Sequence, residues 1–568
     1  MKFGELAKYL ERLEKTSSRN EMTVILAQLF KQATPNDARL IAYLSQGRLG
    51  PAYASPDMGI ADKMMLRALS DQAGKLFKKL GDLGLVAQQL GKGSGNLTVK
   101  RVHQMILEIA NATGVGSQES KQQLIKDLLN GLDGLSAKYA VKMILSKLRT
   151  GFSDMTILDS LSWMVGGDKK LRPEIERMYN VRADLGEIAK SVRLHNQPAK
   201  IEPELGTPIL MAKAERATSA QEIWTRNGVC AAEYKLDGLR IQAHIGKKFE
   251  IKLFSRGLEN VTAMYPDVVA GLQKQIKINC IVEGEMIAVG KNGKFLPFQE
   301  TVQRKRKYDI EAMVDKVPLK IYLFDVLVDG GKDVMHKPNQ YRRDLLEKLV
   351  KPGETIKLMN RRLVKNVTDI ESYFGQALAD GTEGIIAKKL DGPYQAGARD
   401  FNWIKYKKSY AQSALADTID AVVMGYDVGQ GKRQQFGIGD FLIGVYQSKT
   451  DKYFTIAKVG TGLTDEEWRR MKKEVDEIKT NKKSSNFEVN KIMVVDVWCR
   501  PKTVVEVQAD EITKSPMHTS GYALRFPRLI SWREKKPQDA TTIDEIKKIY
   551  ETQKRQPSVA KAMEGEGR

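Results

Sequence analysis

EYKLDGLR, residues 233–240, sets Lys235, Asp237, Gly238 and Arg240 in the pattern K-x-D-G-x-R. On this composition the pattern arises by chance in roughly one chain in a hundred of this size, so the surrounding sequence decides what it means. Just upstream, RLHNQPAKIEPELGTP (193–208) carries Pro198, Pro203 and Pro208. Prolines so spaced break helices and favour extended backbone, which places a domain boundary there. Before it the chain reads as helical. Leu6, Tyr9, Leu10 and Leu13 fall on one helical face, and Tyr139, Met143 and Ile144 repeat the pattern in KYAVKMILSKLR.

After the boundary the period changes. EIKLF (250–254), CIVEGEMIAV (280–289) and KIYLFDVLV (320–328) are short, β-branched and aromatic, and read as strands. Helical stretches such as YRRDLLEKLV (341–350) interleave, so this part is α+β. From about residue 413 the chain is strand-rich: AVVMGY, FLIGVY, YFTIAKV, IMVVDVW and TVVEVQA, with turns at Gly429, Gly431, Gly437 and Gly439. That pattern suggests a small closed or half-closed β-barrel. Thr542 and Glu545 form a capping box that opens a helix, IDEIKKIYETQKR, and the tail QPSVAKAMEGEGR is expected to be disordered. The expected domains are 1–195, 196–412 and 413–568.

Lys and Arg total 92 against 70 Asp and Glu, a net charge of +22 among 568 residues. Such an excess favours a polyanionic partner, nucleic acid first. The three cysteines, Cys230, Cys280 and Cys499, are too scattered for a CxxC pair and too few for a four-cysteine zinc site. A reducing, cytoplasmic setting fits them. The start, MKFGELAKYLERLEK, has no apolar core of signal-peptide type. No apolar run reaches the length of about 18 residues that a membrane span needs, so no membrane association is expected. The five histidines, at 103, 195, 244, 336 and 518, show no ligand spacing and read as structural or surface residues.

Downstream of the first motif lie SRG (255–257), EGE (283–285), FDV (324–326), EGIIAKK (383–389), WIKYKK (403–408) and RFPR (525–528). In this order they match the motif series of covalent nucleotidyltransferases. The whole chain resembles the ATP-dependent DNA ligases, especially the archaeal type with an N-terminal DNA-binding domain. The likeness takes in TVKRVHQ (98–104) and LRTGFSDMTILD (148–159) at the N-terminal end. It extends to MGYDVGQGKRQQFGIGDFLIGVY (424–446), KVGTGLTDEE (458–467) and VEVQADEITKSPMH (505–518) at the C-terminal end. The resemblance implies a multidomain chain: a helical DNA-binding domain, a nucleotidyltransferase (adenylation) domain and a C-terminal OB-fold barrel. It also implies sealing of 5′-phosphate/3′-hydroxyl nicks in duplex DNA, in replication, repair and recombination, with ATP as nucleotide. Mg²⁺ is the expected metal, with Mn²⁺ as its substitute.

A lysine of ordinary pKa, about 10.4, is protonated at neutral pH and cannot attack phosphorus; cationic neighbours or a metal can release the neutral amine. The family assigns that attack, and the phosphoramidate it forms with AMP, to the motif lysine, here Lys235. Glu233, two residues earlier, stands at the position the family associates with the adenine amino group. Phe324 resembles the aromatic that stacks on adenine. Glu285 and Glu383 match carboxylates that hold Mg²⁺ or support it, as hard oxygen ligands should. Arg240 and Arg256 match arginines that contact the nucleotide or the 5′-phosphate of the nick, and Arg399 matches another phosphate-binding arginine. Guanidinium forks suit such oxygens. Lys405 and Lys407 alternate with Tyr406 on an expected strand, so they share a face, and by resemblance both reach phosphates.

RFPR matches the last motif, whose Arg525 and Arg528 orient the pyrophosphate of ATP while the barrel is closed over it. The resemblance implies that the barrel then swings away for the later steps. Here the sequence departs from the family, which continues toward an Asp-Lys pair; Glu534 and Lys535 stand in, with one residue fewer between. A monomer is expected. A sliding clamp is a further partner to weigh, although QLGKGSGN (89–96) lacks the paired aromatics of archaeal relatives and QQLIKDLL (122–129) reads as helix core.

Capping enzymes and RNA ligases share K-x-D-G-x-R but are not expected to carry the long helical region. NAD-dependent ligases usually have a four-cysteine zinc module, which this chain cannot build. A non-catalytic nucleic-acid clamp of the same fold would not require Lys235, Glu383 and Lys405 together.

Overall fold

A computed structural model describes the chain except at residues 17, 149, 247–249, 291–292, 307–308, 352, 408–417, 430 and 556–568. The tail expected to be disordered, 556–568, thus lies outside the described residues. The chain divides into two compact units. The first comprises Met1–Glu215, Arg226–Lys365 and Ile386–Ile404; the second comprises Arg216–Thr225, Asn366–Ile385 and the chain from Lys405 onward.

In the first unit, twelve α-helices among the described residues occupy the span from Phe3 to His195. Their starts follow the residue types that cap helices. The side chains of Ser18, Thr34, Thr98, Asp133 and Asp184 each accept the backbone N–H three residues on, satisfying donors a helix start leaves open. Leu6, Leu10 and Leu13, with Tyr139 and Ile144, are all 0% exposed in one continuous core. Each such side chain contributes about 1.5–3 kcal/mol on burial. QQLIKDLL lies in the helix Ser117–Asn130, where Ile125 and Leu128 join this core, as read. Among the described residues no helix is long and apolar enough to cross a membrane.

Strands follow: β1 (Lys213–Arg216), β2 (Cys230–Lys235), β3 (Leu239–Ile245), β4 (Ile251–Ser255), β5 (Cys280–Ala288), β6 (Leu319–Asp329), β7 (Lys332–Asp333), β8 (Ile356–Leu358), β9 (Arg361–Val364), β10 (Gly384–Lys389) and β11 (Arg399–Lys407). They form two sheets, one in the order β4-β3-β5-β6-β7 with β8 parallel to β6, the other in the order β1-β11-β10-β2-β9. Alternation along β3 sends Ile241, Ala243 and Ile245 into an apolar core shared with Val282, Met286 and Ala288 of β5. It therefore sends Arg240, Gln242 and His244 to the opposite face. A bulge in the β5–β6 pairing falls between Glu283 and Gly284, inside the EGE motif. Bulges of this kind bend a strand and re-aim its side chains.

In the second unit the strands are β12 (Ile419–Asp427), β13 (Asp440–Gln447), β14 (Lys452–Val459), β15 (Lys479–Thr480), β16 (Phe487–Glu488), β17 (Val497–Cys499), β18 (Val504–Gln508), β19 (Glu511–Lys514), β20 (Tyr522–Arg525) and β21 (Arg528–Arg533). Eight of them make a branched sheet, β15-β17-β12-β13-β14-β16 with β18 joining β12 to β21, while β19 and β20 pair as a hairpin. Successive residues of β12 feed different cores: Ala421 and Val423 meet Trp468, Met471 and Val475, whereas Val422 and Met424 meet Tyr453, Phe487 and Met493. Bulges at Val423/Gly425, Ile443/Gly444 and Glu506/Val507 bend this sheet, and its pairings among the described residues do not close into a ring. The Thr542–Glu545 capping box forms as read and opens the helix Ile543–Arg555.

One expected strand differs. Of IMVVDVW only Val497 and Trp498 are in a strand; Lys491–Met493 is a short 3₁₀ turn. The Asn490 side chain accepts the Ile492 N–H at 3.3 Å, a local bond that competes with strand pairing.

Candidate nucleotide-binding site

Lys235 is the last residue of β2, and the chain bends at 237–238 and enters β3 of the other sheet. Gly238 is fixed by close approach: a Cβ there would lie 2.2 Å from the Met286 carbonyl oxygen of β5. The K-x-D-G turn is thus pressed on the strand that carries Glu285, whose partner across the ladder is Arg240.

Arg240 is less available than the sequence suggested. One guanidinium nitrogen donates to the Ala212 carbonyl at 2.6 Å and another to Glu283 Oε2 at 2.7 Å; Nε alone lacks a partner. Burial would lower its pKa, but Glu283, Tyr394 and Glu285 together outweigh this and raise it. Gln242 donates to the other Glu283 oxygen at 3.0 Å. Glu283, 0% exposed, is therefore a strut that holds Arg240. The motif EGE shows two acids, and only burial distinguishes Glu283 from the half-buried Glu285.

A second group joins β2, β6, β10 and β11. Glu233, 2% exposed, holds Lys388 Nζ at 2.8 Å through Oε2, while Oε1 is buried without a hydrogen-bond partner and has only Arg361 Nε at 4.0 Å. Lys388 Nζ also donates to the Phe324 carbonyl at 3.0 Å and lies 4.7 Å from the Phe324 ring and 4.2 Å from the Trp403 ring. Burial pulls the Lys388 ammonium below its ordinary pKa, against the opposing pull of Glu233. The rings of Phe324 and Trp403 meet edge to face at 5.8 Å. Lys388 and Trp403 stood inside quoted motifs without a role, because their pairing with Glu233 and Phe324 crosses strands far apart in sequence. Behind Phe324, Asp325 and Arg342 form a fully buried ion pair with bonds of 2.7 and 3.1 Å.

The chemistry of this group fits an adenine base. A buried anionic oxygen without a donor suits an exocyclic amine, and an aromatic ring beside it suits stacking. Arg256, in the turn after β4, and Arg399, at the start of β11, are both exposed.

In the second unit, Glu383 binds Lys407 Nζ at 2.8 Å and has Arg525 at 3.9 Å. Arg525 also faces its cross-strand partner Glu511 at 3.5 Å, and Arg528 binds Asp510 at 2.8 Å. Tyr406 is buried between Lys405 and Lys407 and stacks on Phe374 at 4.2 Å, so the two lysines share the other face of β11, as read. Lys535 donates to Asp420 at 2.6 Å, beside Arg533 at 3.2 Å. These contacts collect Glu383, Lys407 and Arg525, and leave Lys535 sharing Asp420 with Arg533. Among the described residues no three His, Cys, Asp or Glu side chains gather as a metal cage. Mg²⁺ typically takes one or two carboxylates and fills its shell with phosphates and water, so single ligands such as Glu285 and Glu383 remain suitable.

Comparison with known proteins accords with this geometry. Three family models match: "DNA ligase N terminus" at residues 2–162, "ATP dependent DNA ligase domain" at 211–407 and "ATP dependent DNA ligase C terminal region" at 434–536. The "Probable DNA ligase" of Dictyoglomus turgidum is 44% identical, with 98% of each chain covered. The "DNA ligase" of Sulfolobus acidocaldarius is 39% identical over 97% of this chain and 98% of that protein. Among solved structures, Pmar-Lig_PreS3 covers 93% of this chain and 99% of its own at 16% identity, with a TM-score of 0.53, a likeness of fold. With identity at this level over nearly its full length, the chain belongs to the ATP-dependent DNA ligases.

Proposed function

We propose that this ligase seals 5′-phosphate/3′-hydroxyl nicks in duplex DNA with Lys235 as the carrier of AMP. The Lys235 amine attacks the α-phosphorus of ATP, forming a P–N bond as the bond to pyrophosphate breaks. The AMP then passes to the 5′-phosphate of the nick, freeing the lysine. Attack by the 3′-hydroxyl on that phosphate forms the phosphodiester and expels AMP. Glu233 receives the adenine amino group and Phe324 stacks on the ring. Lys405, Lys407 and Arg256 hold phosphates, Arg240 is braced by Glu283, and Arg525 and Arg528 take the pyrophosphate. Glu285 and Glu383 are each suited as a carboxylate ligand for Mg²⁺, which would neutralise phosphate charge.

On this reading residues 1–195 form the DNA-binding domain, 196–412 the adenylation domain and 413–568 an OB-fold barrel. The protein works as a cytoplasmic monomer. A sliding clamp stays outside the reading, since QQLIKDLL commits Ile125 and Leu128 to the core.

The observation that supports it most is the Oε1 of buried Glu233, which among the described residues accepts no hydrogen bond, two residues before Lys235 on the same strand. Incubation with labelled ATP and Mg²⁺, followed by a denaturing gel, tests it. The wild-type chain should gain one AMP and Lys235→Ala none. A labelled Lys235→Ala chain would sink the assignment.

A further inference from the structure

Gly397 lies in the turn that leads into β11, two residues before Arg399. It has a φ of +67°, and a Cβ on it would stand 2.6 Å from Oδ1 and 2.7 Å from Cγ of Asn180. Asn180 belongs to the helix Arg172–Val181 of the N-terminal helical region and is 8% exposed. The segment between them is bonded on both sides. The Asn180 carbonyl accepts the Leu210 N–H at 2.8 Å, and the Leu210 carbonyl accepts the Gly397 N–H at 2.7 Å. One residue on, the Ala398 carbonyl accepts the Lys213 N–H at 2.9 Å. Arg399 follows at once, exposed, and among the described residues it has no ion-pair partner.

We propose that Asn180 and Gly397 are positioning residues: the helical region seats the 395–398 turn and thereby aims Arg399 at a phosphate of the nicked duplex. The inference rests on the reading of Arg399 as a phosphate-binding arginine and gives that phosphate a source. An exposed guanidinium without a carboxylate suits a broad polyanion, and its aim depends on the backbone just before it. Only glycine fits this seat, because its left-handed backbone disfavours a Cβ and the Asn180 side chain fills the space a Cβ would take.

The test is the salt dependence of nicked-duplex binding by the full-length chain, with self-adenylation by labelled ATP as control. Each phosphate contact contributes about 0.9 to the slope of log affinity against log salt. Arg399→Ala should lower that slope by about 0.9. Gly397→Ala should lower it by the same amount while self-adenylation is unchanged. Adding Asn180→Ala to Gly397→Ala clears the space, keeps the Asn180 carbonyl bond to Leu210 and should restore part of the slope, the left-handed backbone strain remaining; damage to folding would not allow this recovery. A full slope in Gly397→Ala, or no recovery in the double variant, overturns the seat. A full slope in Arg399→Ala overturns the phosphate reading of Arg399 itself, and the seat with it.

Discussion

Glu233 divides its carboxylate between two tasks: Oε2 holds Lys388 at 2.8 Å and Oε1 has no donor. Adenine offers an amino donor at the edge where guanine offers an acceptor oxygen, so an anionic acceptor selects between them. Glu233→Gln keeps the shape but can turn an NH₂ group toward the base. A hydrogen bond to a charged group is worth about 1.5–3 kcal/mol, so the preference for ATP over GTP in self-adenylation should fall about tenfold or more. An unchanged ATP-to-GTP ratio at sub-saturating nucleotide would remove Glu233 from base recognition. At this scale the sequence was informative where a motif fixes spacing, as with Glu233 and Lys235 on one strand. It was silent where a role depends on a partner across the sheet. Arg240 could be read as a phosphate contact from K-x-D-G-x-R, but its bonds to Glu283 and Ala212 arise only from strand pairing and the bulge in EGE.

The segment 206–212 shows the same limit in an element. Pro208, with Pro198 and Pro203 before it, predicted extended backbone, and the segment has no helix or strand before Lys213. Composition did not show that side chains of β3, with Tyr394, hold it. Gly206 N–H donates to His244 Nδ1 at 3.0 Å, Ile209 N–H to Gln242 at 2.8 Å, and Ala212 N–H to the Tyr394 hydroxyl at 2.9 Å just before β11. Nδ1 must be unprotonated to accept, and Nε2 donates to Gln242 Oε1 at 2.8 Å. Burial, aided by Lys252, lowers the His244 pKa from 6.5 to about 3. The folded chain therefore excludes a proton that the unfolded chain binds below about pH 6.5. Stability from this neutral imidazole is full above that pH and is lost as pH falls toward about 3. Thermal midpoints should drop with acidification across this window. They should drop less in His244→Asn, which keeps an acceptor for Gly206 and does not titrate. Equal steepness in the two proteins would assign the pH dependence to other groups.

Across the whole molecule, the residues read from the motif series fall into both compact units. Glu233, Lys235, Glu285 and Phe324 belong to the first, and Glu383, Lys405, Lys407, Arg525 and Arg528 to the second. Local periodicity could not reveal this partition, because Asn366–Ile385 joins the chain from Lys405 onward through contacts distant in sequence. Within the second unit, Arg525 rests on two long ion pairs, 3.9 Å to Glu383 and 3.5 Å to Glu511, whereas Lys407 holds Glu383 at 2.8 Å. The planar guanidinium fork of Arg525 suits a multiply charged phosphate anion. The departing pyrophosphate is one, and its charge grows in the transition state of the first step. Once AMP is on Lys235, no pyrophosphate remains to stabilise. A double variant, Arg525→Ala with Arg528→Ala, should therefore lose about a hundredfold or more in self-adenylation, the scale of removing one preorganised donor. Supplied already adenylated, it should seal a nick in a single turnover at nearly the normal rate. Glu383→Ala should be slow in both, since it loses the proposed metal carboxylate and the 2.8 Å bond to Lys407, and metal-assisted phosphoryl transfer recurs in every step. Purified adenylated enzyme mixed with nicked duplex in single-turnover sealing separates the cases. If the double arginine variant were as slow there as in self-adenylation, its arginines would also act on the DNA, and a role confined to pyrophosphate would be wrong.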